Sequence, residues 1–159
     1  DKRLIKFSYG CQQLIAESLG KKKLGLLPIV SIGPKDHHSL LQLYLDGPKD
    51  KIFYIMSAKS SLNLITENNY FGKKYNHINK KKLSKIILSQ KNAFIKELNN
   101  KKIPFREIHI NKFDEETIGE LFGYFILETV LLGRLIKVNP FDQPAVESVK
   151  IYTKKNLKN

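Results

Sequence analysis

One cysteine and three arginines in 159 residues are the first things to notice about this chain, because each scarcity excludes something. With Cys11 alone, no intrachain disulfide forms and no cysteine-based zinc cluster is possible, so a reducing, cytoplasmic setting is expected. No apolar run approaches the roughly 20 residues that span a bilayer, and the N-terminus lacks the apolar core of a signal peptide. A soluble protein with no membrane partner is expected. Neither a Gly-rich dinucleotide fingerprint nor a Walker-type phosphate loop occurs, so no nucleotide cofactor is expected. His37 and His38 are adjacent, their side chains tend to diverge, and no third ligand accompanies them; a metal site is not expected either.

The shortage of arginine also shapes the reading of charge. The chain carries 28 Lys and Arg against 15 Asp and Glu, a formal charge of +13. Clustered cations bind polyanions and gain from counterion release. Here, however, only Arg3, Arg106 and Arg134 offer the bidentate guanidinium that phosphate and base recognition favour. The lysines are spread among Asn and Ile along the whole chain, as solvated faces are. No nucleic-acid partner is expected.

What is present is globular. Apolar residues make up 42% and charged residues 27%, proportions that argue against disorder. The length suits a single domain, 1–159, able to bury roughly two-thirds of the surface its unfolded form exposes. The chain begins at Asp1 and has one internal methionine, Met56, as expected of a piece of a longer protein.

Periodicity gives the elements. From Phe7 to Leu19 the residues Leu14, Ile15 and Leu19 leave a polar strip in which Gln13 and Glu17 share one helix face. Leu26 to Ile32 is a β-branched run ended by Gly33-Pro34, and predicts a buried strand entering a loop that carries Asp36, His37 and His38. Ser39 to Leu45 predicts a short helix, stopped at Asp46-Gly47-Pro48. Ile52 to Met56 predicts a second strand. A polar connector, 68–82, follows, with Tyr70-Phe71 as its expected anchor. Leu83, Ile86, Ile87, Gln90, Phe94 and Leu98 predict a helix packed on a sheet. Ile103, Phe105, Ile108 and Ile110 predict a third strand. From Asp114 to Leu135 an acidic start and apolar residues on more than one face predict a helix buried on two sides. A last helix begins near Pro144.

Strands alternating with helices predict an α/β domain, a mostly parallel sheet with helices on both faces. Ligands of such sheets sit beyond the carboxyl ends of the strands, where the His38 loop is placed. Three clusters carry possible chemistry: Gln13 with Glu17, His38, and Gln143 with Lys150. Each alone is an ordinary surface feature.

Together they carry a resemblance. The string Phe141-Asp142-Gln143-Pro144-Ala145-Val146-Glu147-Ser148-Val149-Lys150 resembles the C-terminal signature of the glucose-6-phosphate isomerase family. Gln12 to Lys21 resembles that family's catalytic-glutamate helix, and Gly33 to Asp50 its catalytic-histidine segment, in the same order. The resemblance implies a C-terminal sugar-isomerase (SIS) domain, a flavodoxin-like three-layer αβα sandwich. It implies interconversion of D-glucose 6-phosphate and D-fructose 6-phosphate through a cis-enediol, in glycolysis and gluconeogenesis, without a cofactor. Glu17 would be the base, His38 and Lys150 would assist ring opening, and Gln13 and Gln143 would line the substrate pocket. The implied partners are the sugar phosphate, an N-terminal SIS domain and a second subunit, into whose site His38 would reach.

The sequence departs from the family pattern at Ala145, where Gly is usual, and at His37, where Gln is common. The family's Ser/Thr-rich phosphate cradle and enediolate-stabilising Arg have no equivalent here, and the isolated chain is expected to be inactive or nearly so. Two other readings stand beside this one: a sugar-phosphate-binding module without catalysis, and a basic polyanion-binding protein.

Overall fold

The computed structural model describes residues 2–60, 63–67 and 72–158. Among them the chain is α/β, with five α-helices, one 3-10 helix and a two-stranded parallel sheet. The contacts gather into two compact units, 31–113 and 2–30 with 114–158.

The first unit is built around a strand-helix-strand repeat. α1 (Lys2–Leu19) belongs to the other unit, so this one opens with α2 (Lys35–Asp46). Pro34 precedes α2, and the Asp36 carboxylate accepts the Ile32 N–H at 2.6 Å, tying the incoming chain to the first turn. Gly47 ends the helix by donating its N–H to the Leu43 carbonyl; a Cβ at Gly47 would lie 2.5 Å from that oxygen, so only glycine closes here. β1 (Phe53–Ala58) and β2 (Phe105–Ile110) pair in parallel from Phe53 opposite Phe105 to Ala58 opposite Ile110. Parallel strands need a long crossover, and residues 59–104 supply it, with the 3-10 helix Lys73–Ile78 and α3 (Leu83–Asn100).

An aromatic chain joins these pieces. Tyr44 meets Phe53 at 5.1 Å, Phe53 meets Phe94 at 5.5 Å and His37 meets Phe94 at 5.0 Å between ring centroids. The two edge-on contacts, Tyr44–Phe53 and Phe53–Phe94, each add about 0.5–1.5 kcal/mol beyond the area they bury. His37, whose role the sequence leaves open, is thus a packing residue that seats α2 on α3. Lys91 of α3 reaches Glu107 of β2 at 2.6 Å, and Leu98, Ile103 and Ile110 are buried.

The second unit rests on α1 and α4 (Glu115–Leu135). Leu4, Phe7 and Cys11, three and four residues apart on α1, are buried, as are Phe125 and Thr129 on α4. Phe7 meets Phe122 at 4.8 Å and Phe125 at 5.7 Å, both edge-on. Asp114 caps α4 by accepting the Thr117 N–H at 3.0 Å, which explains the acidic start. α5 (Pro144–Asn156) starts with proline in its first turn.

Four expectations are corrected. The run Leu26–Ile32 is not a strand: Leu26, Leu27 and Ile29 are 64%, 83% and 70% exposed, and β1 and β2 pair only with each other among the described residues. An extended run becomes a strand only when a neighbour completes its ladder. Here Gly25 has φ +104°, and the Pro28 carbonyl accepts from the Gln12 side chain. Asp36, His37 and His38 are not in a loop but in the first turns of α2, because Pro34 and Asp36 start the helix four residues before Ser39. α4 buries one side, with Phe125, Thr129 and Gly133, and leaves Leu127, Leu131 and Leu135 exposed. The 68–82 connector holds helical structure at Lys73–Ile78, and Ile65 bridges to Lys82; Tyr70 and Phe71 lie outside the described residues.

Two helices end in Schellman-type closures made by lysine instead of glycine. Ile103 donates to the Leu98 carbonyl around Lys102 (φ 55°), and Val138 donates to Gly133 around Lys137 (φ 58°). A left-handed backbone costs an L-residue about 1 kcal/mol or more, partly offset because glycine loosens the unfolded chain. Lys102→Gly is therefore expected to raise unfolding stability by a few tenths to about 1 kcal/mol, measured by urea denaturation; a lower midpoint would refute the strain. Burial pushes the Cys11 thiol up to about 11. A disulfide reagent at mildly alkaline pH should modify Cys11 slowly in the native chain and promptly in denaturant; equal rates would show that α1 and α4 do not cover it.

Candidate functional site

The second unit brings three of the five candidate residues together. Gln13 and Glu17 lie one turn apart on α1, and the Gln13 Nε2 donates to Glu17 Oε1 at 3.3 Å. Gln143, at the start of α5, donates its Nε2 to Glu17 Oε2 at 2.8 Å across 126 residues of sequence. Each carboxylate oxygen thus accepts one amide N–H. Such a carboxylate is held in one orientation while further lone pairs on both oxygens stay open, the arrangement a general base needs.

The Gln143 contact depends on how residues 137–143 are held. After α1 ends, Lys22 and Lys23 adopt left-handed backbone (φ 53° and 62°). Lys22 Nζ donates to the Lys137 carbonyl at 3.1 Å. Lys21 Nζ lies 3.0 Å from Asp142 Oδ1 and also donates to the Asn139 carbonyl; its side chain is only 10% exposed. Asn139 Nδ2 donates to Asp142 Oδ2 at 3.0 Å, and its Oδ1 accepts the Phe141 N–H at 3.1 Å. Pro140 packs on buried Gly133, where an added Cβ would stand 3.2 Å from the proline Cβ.

The other two candidates are placed differently. Lys150 is on the exposed α5 and pairs with Glu147 at 2.7 Å; the hydrogen bonds of Glu17 come from the two glutamines and not from Lys150. A shallow groove along α5 is lined by Lys150 with Val149, Thr153 and Leu157, and not by Glu17. His38 is exposed on α2, in the other unit. Sequence reasoning missed Lys21 and Asn139 and gave Asp142 no role. All three carry side chains common on surfaces, and Lys21 lies more than a hundred residues from its partners.

The structure is a parallel α/β arrangement, matched over 100% of its length by 40% of the crystal structure of a hypothetical protein, TT0462, from Thermus thermophilus, with a TM-score of 0.87 and 27% sequence identity. No protein-family model matches the chain. It is 41% identical over 143 residues to the glucose-6-phosphate isomerase of Methanocaldococcus jannaschii, across 87% of this chain and 34% of that protein. It is 36% identical over 150 residues to that of Campylobacter jejuni, across 91% and 37%. The chain is thus homologous to part of glucose-6-phosphate isomerases and spans about a third of the length of the curated relatives it matches.

The Asp142 carboxyl is held below its ordinary range, chiefly because Lys21 donates to it; desolvation opposes this, and the Asn139 amide adds to the lowering. A carboxyl depressed in the folded state contributes stability that is fully present above its unfolded pKa and is lost as pH falls through the folded value. Acidification from about pH 5 to below about pH 3 should therefore lower the thermal midpoint of the native chain more than that of Asp142→Asn. Parallel curves, followed by circular dichroism, would remove the Lys21–Asp142 pair as a contributor.

Proposed function

We propose that the chain is the C-terminal sugar-isomerase (SIS) domain of a glucose-6-phosphate isomerase, one part of a three-layer αβα assembly acting in the cytoplasm. The observation that carries this reading is the Glu17 carboxylate held from both sides by Gln13 and Gln143. Residues expected to line one pocket meet there from opposite ends of the chain. Identity to named isomerases supports it.

In this reading Glu17 removes the proton from C2 of open-chain glucose 6-phosphate. The electron pair left behind forms the C1–C2 double bond as the carbonyl oxygen gains a proton, giving the cis-enediol; the O2 hydroxyl then releases its proton, its electrons form the C2 carbonyl, and return of the proton from Glu17 to C1 yields fructose 6-phosphate. The two amides orient the carboxylate toward the proton it removes. His38 and Lys150 assist ring opening as acid and base, His38 across a homodimer interface. The N-terminal SIS domain supplies the phosphate cradle and the cation facing the enediolate. Loss of one such charge-stabilising donor costs about 100- to 1000-fold, so residues 1–159 alone are inactive or nearly so.

The test is a chimera in which residues 1–159 replace the aligned third of the Methanocaldococcus jannaschii isomerase. It should interconvert the two sugar phosphates, and Glu17→Gln should lower its kcat by about 100-fold or more. An active chimera indifferent to Glu17→Gln would overturn the assignment of the base.

A further inference from the structure

Resting on the reading of Glu17 as the base, we propose that Lys21 is a positioning residue for it, clamping residues 139–142 so that the next residue, Gln143, delivers its amide to Glu17. Lys21 follows Glu17 by one helical turn, just beyond the end of α1 at Leu19. It is therefore anchored to the same element as the base. Its ammonium makes two contacts, with the Asp142 carboxylate at 3.0 Å and with the Asn139 carbonyl. Asn139 and Asp142 are cross-linked by their own side-chain bond at 3.0 Å, so the ammonium grips a closed turn rather than a loose strand. Gln143 is covalently next to Asp142 and opens α5.

The burial supports a positioning role over a decorative ion pair. Exposed pairs contribute little because two long side chains must be ordered in water; here the short Asp142 side chain is 52% exposed but the long Lys21 side chain is only 10% exposed. Gln143, by contrast, is exposed, and no hydrogen bond other than that to Glu17 fixes its side chain among the described residues. A one-residue displacement of the 139–142 turn would carry Gln143 out of reach of Glu17. Misplacement by about 1 Å is enough to lower a reaction rate by about 100-fold in well-oriented sites.

The experiment follows the Gln143 side-chain amide of residues 1–159 by NMR, in the native chain and in Lys21→Met, Lys21→Arg and Asp142→Asn. Methionine keeps the buried stem and removes only the ammonium. In Lys21→Met and Asp142→Asn the Gln143 amide protons should lose their contact with Glu17 and move to the resonance positions seen in Glu17→Ala. Ring-current shifts around Phe7 should stay in place, and Lys21→Arg should restore the native positions. If Lys21→Met fails to fold, Asp142→Asn carries the same expectation from the other side of the clamp. A variant that is less stable but leaves the Gln143 amide unmoved would overturn the proposal, as would failure of arginine to restore it.

The same substitutions in the chimera separate this inference from the reading beneath it. Lys21→Met should lower kcat/KM about tenfold, as expected when the base loses its orientation and Gln143 leaves its place. An inactive chimera would count against the isomerase reading while leaving the Gln143 resonances to decide the clamp. An active, Glu17-dependent chimera indifferent to Lys21→Met would overturn the clamp alone.

Discussion

The edge-on packing of Phe7 against Phe122 and Phe125 is the interaction on which the rest of the candidate site depends. α1 and α4 are separated by almost a hundred residues, and nothing but tertiary burial brings them together. Once they pack, the ends of both helices are placed. Lys21 and Lys22 then lie within reach of the turn that follows α4, and Gln143 within reach of Glu17. Removing aromatic surface at this contact would cost a few kcal/mol of a total stability that is itself only about 5–15 kcal/mol.

The polar arrangement has a consistent order. Apolar packing sets two helices together, a left-handed lysine closes the second, and Lys21 and Lys22 beyond the first hold the turn that follows it. At the end of that sequence stands a single carboxylate with an amide on each oxygen. The cost of orienting a carboxylate so held is met by folding. The open apolar surfaces, Leu127, Leu131 and Leu135 on α4 and Leu26, Leu27 and Ile29 after α1, fit a chain homologous to about a third of longer proteins.

Much of the fold was legible in the residues. α3 and α4 follow their apolar periodicity to within a few residues, and Asp114 and Pro144 mark the starts of α4 and α5 because a cap and a fixed φ are local properties. The two paired strands fall on the apolar runs that predict them. Leu26–Ile32 was misread because strand formation requires a partner, and no local feature reports whether one is present. The start of α2 was placed late because Pro34 and Asp36 read equally well as loop residues until the Ile32 N–H is seen on the Asp36 carboxylate. α4 was expected to be covered twice because apolar content shows what favours burial and not what is available to bury it.

For the candidate site, the residues themselves determined one pairing: Glu17 with Gln13 one turn away on the same helix face, a spacing that any α-helix converts into proximity. The tertiary structure alone decided that Gln143 completes that pair and that Lys21 holds the turn before it. The physical reason is range. Helical periodicity couples residues three or four apart, whereas Lys21 with Asp142 and Glu17 with Gln143 are coupled only by the packing of α1 on α4, which no local pattern encodes.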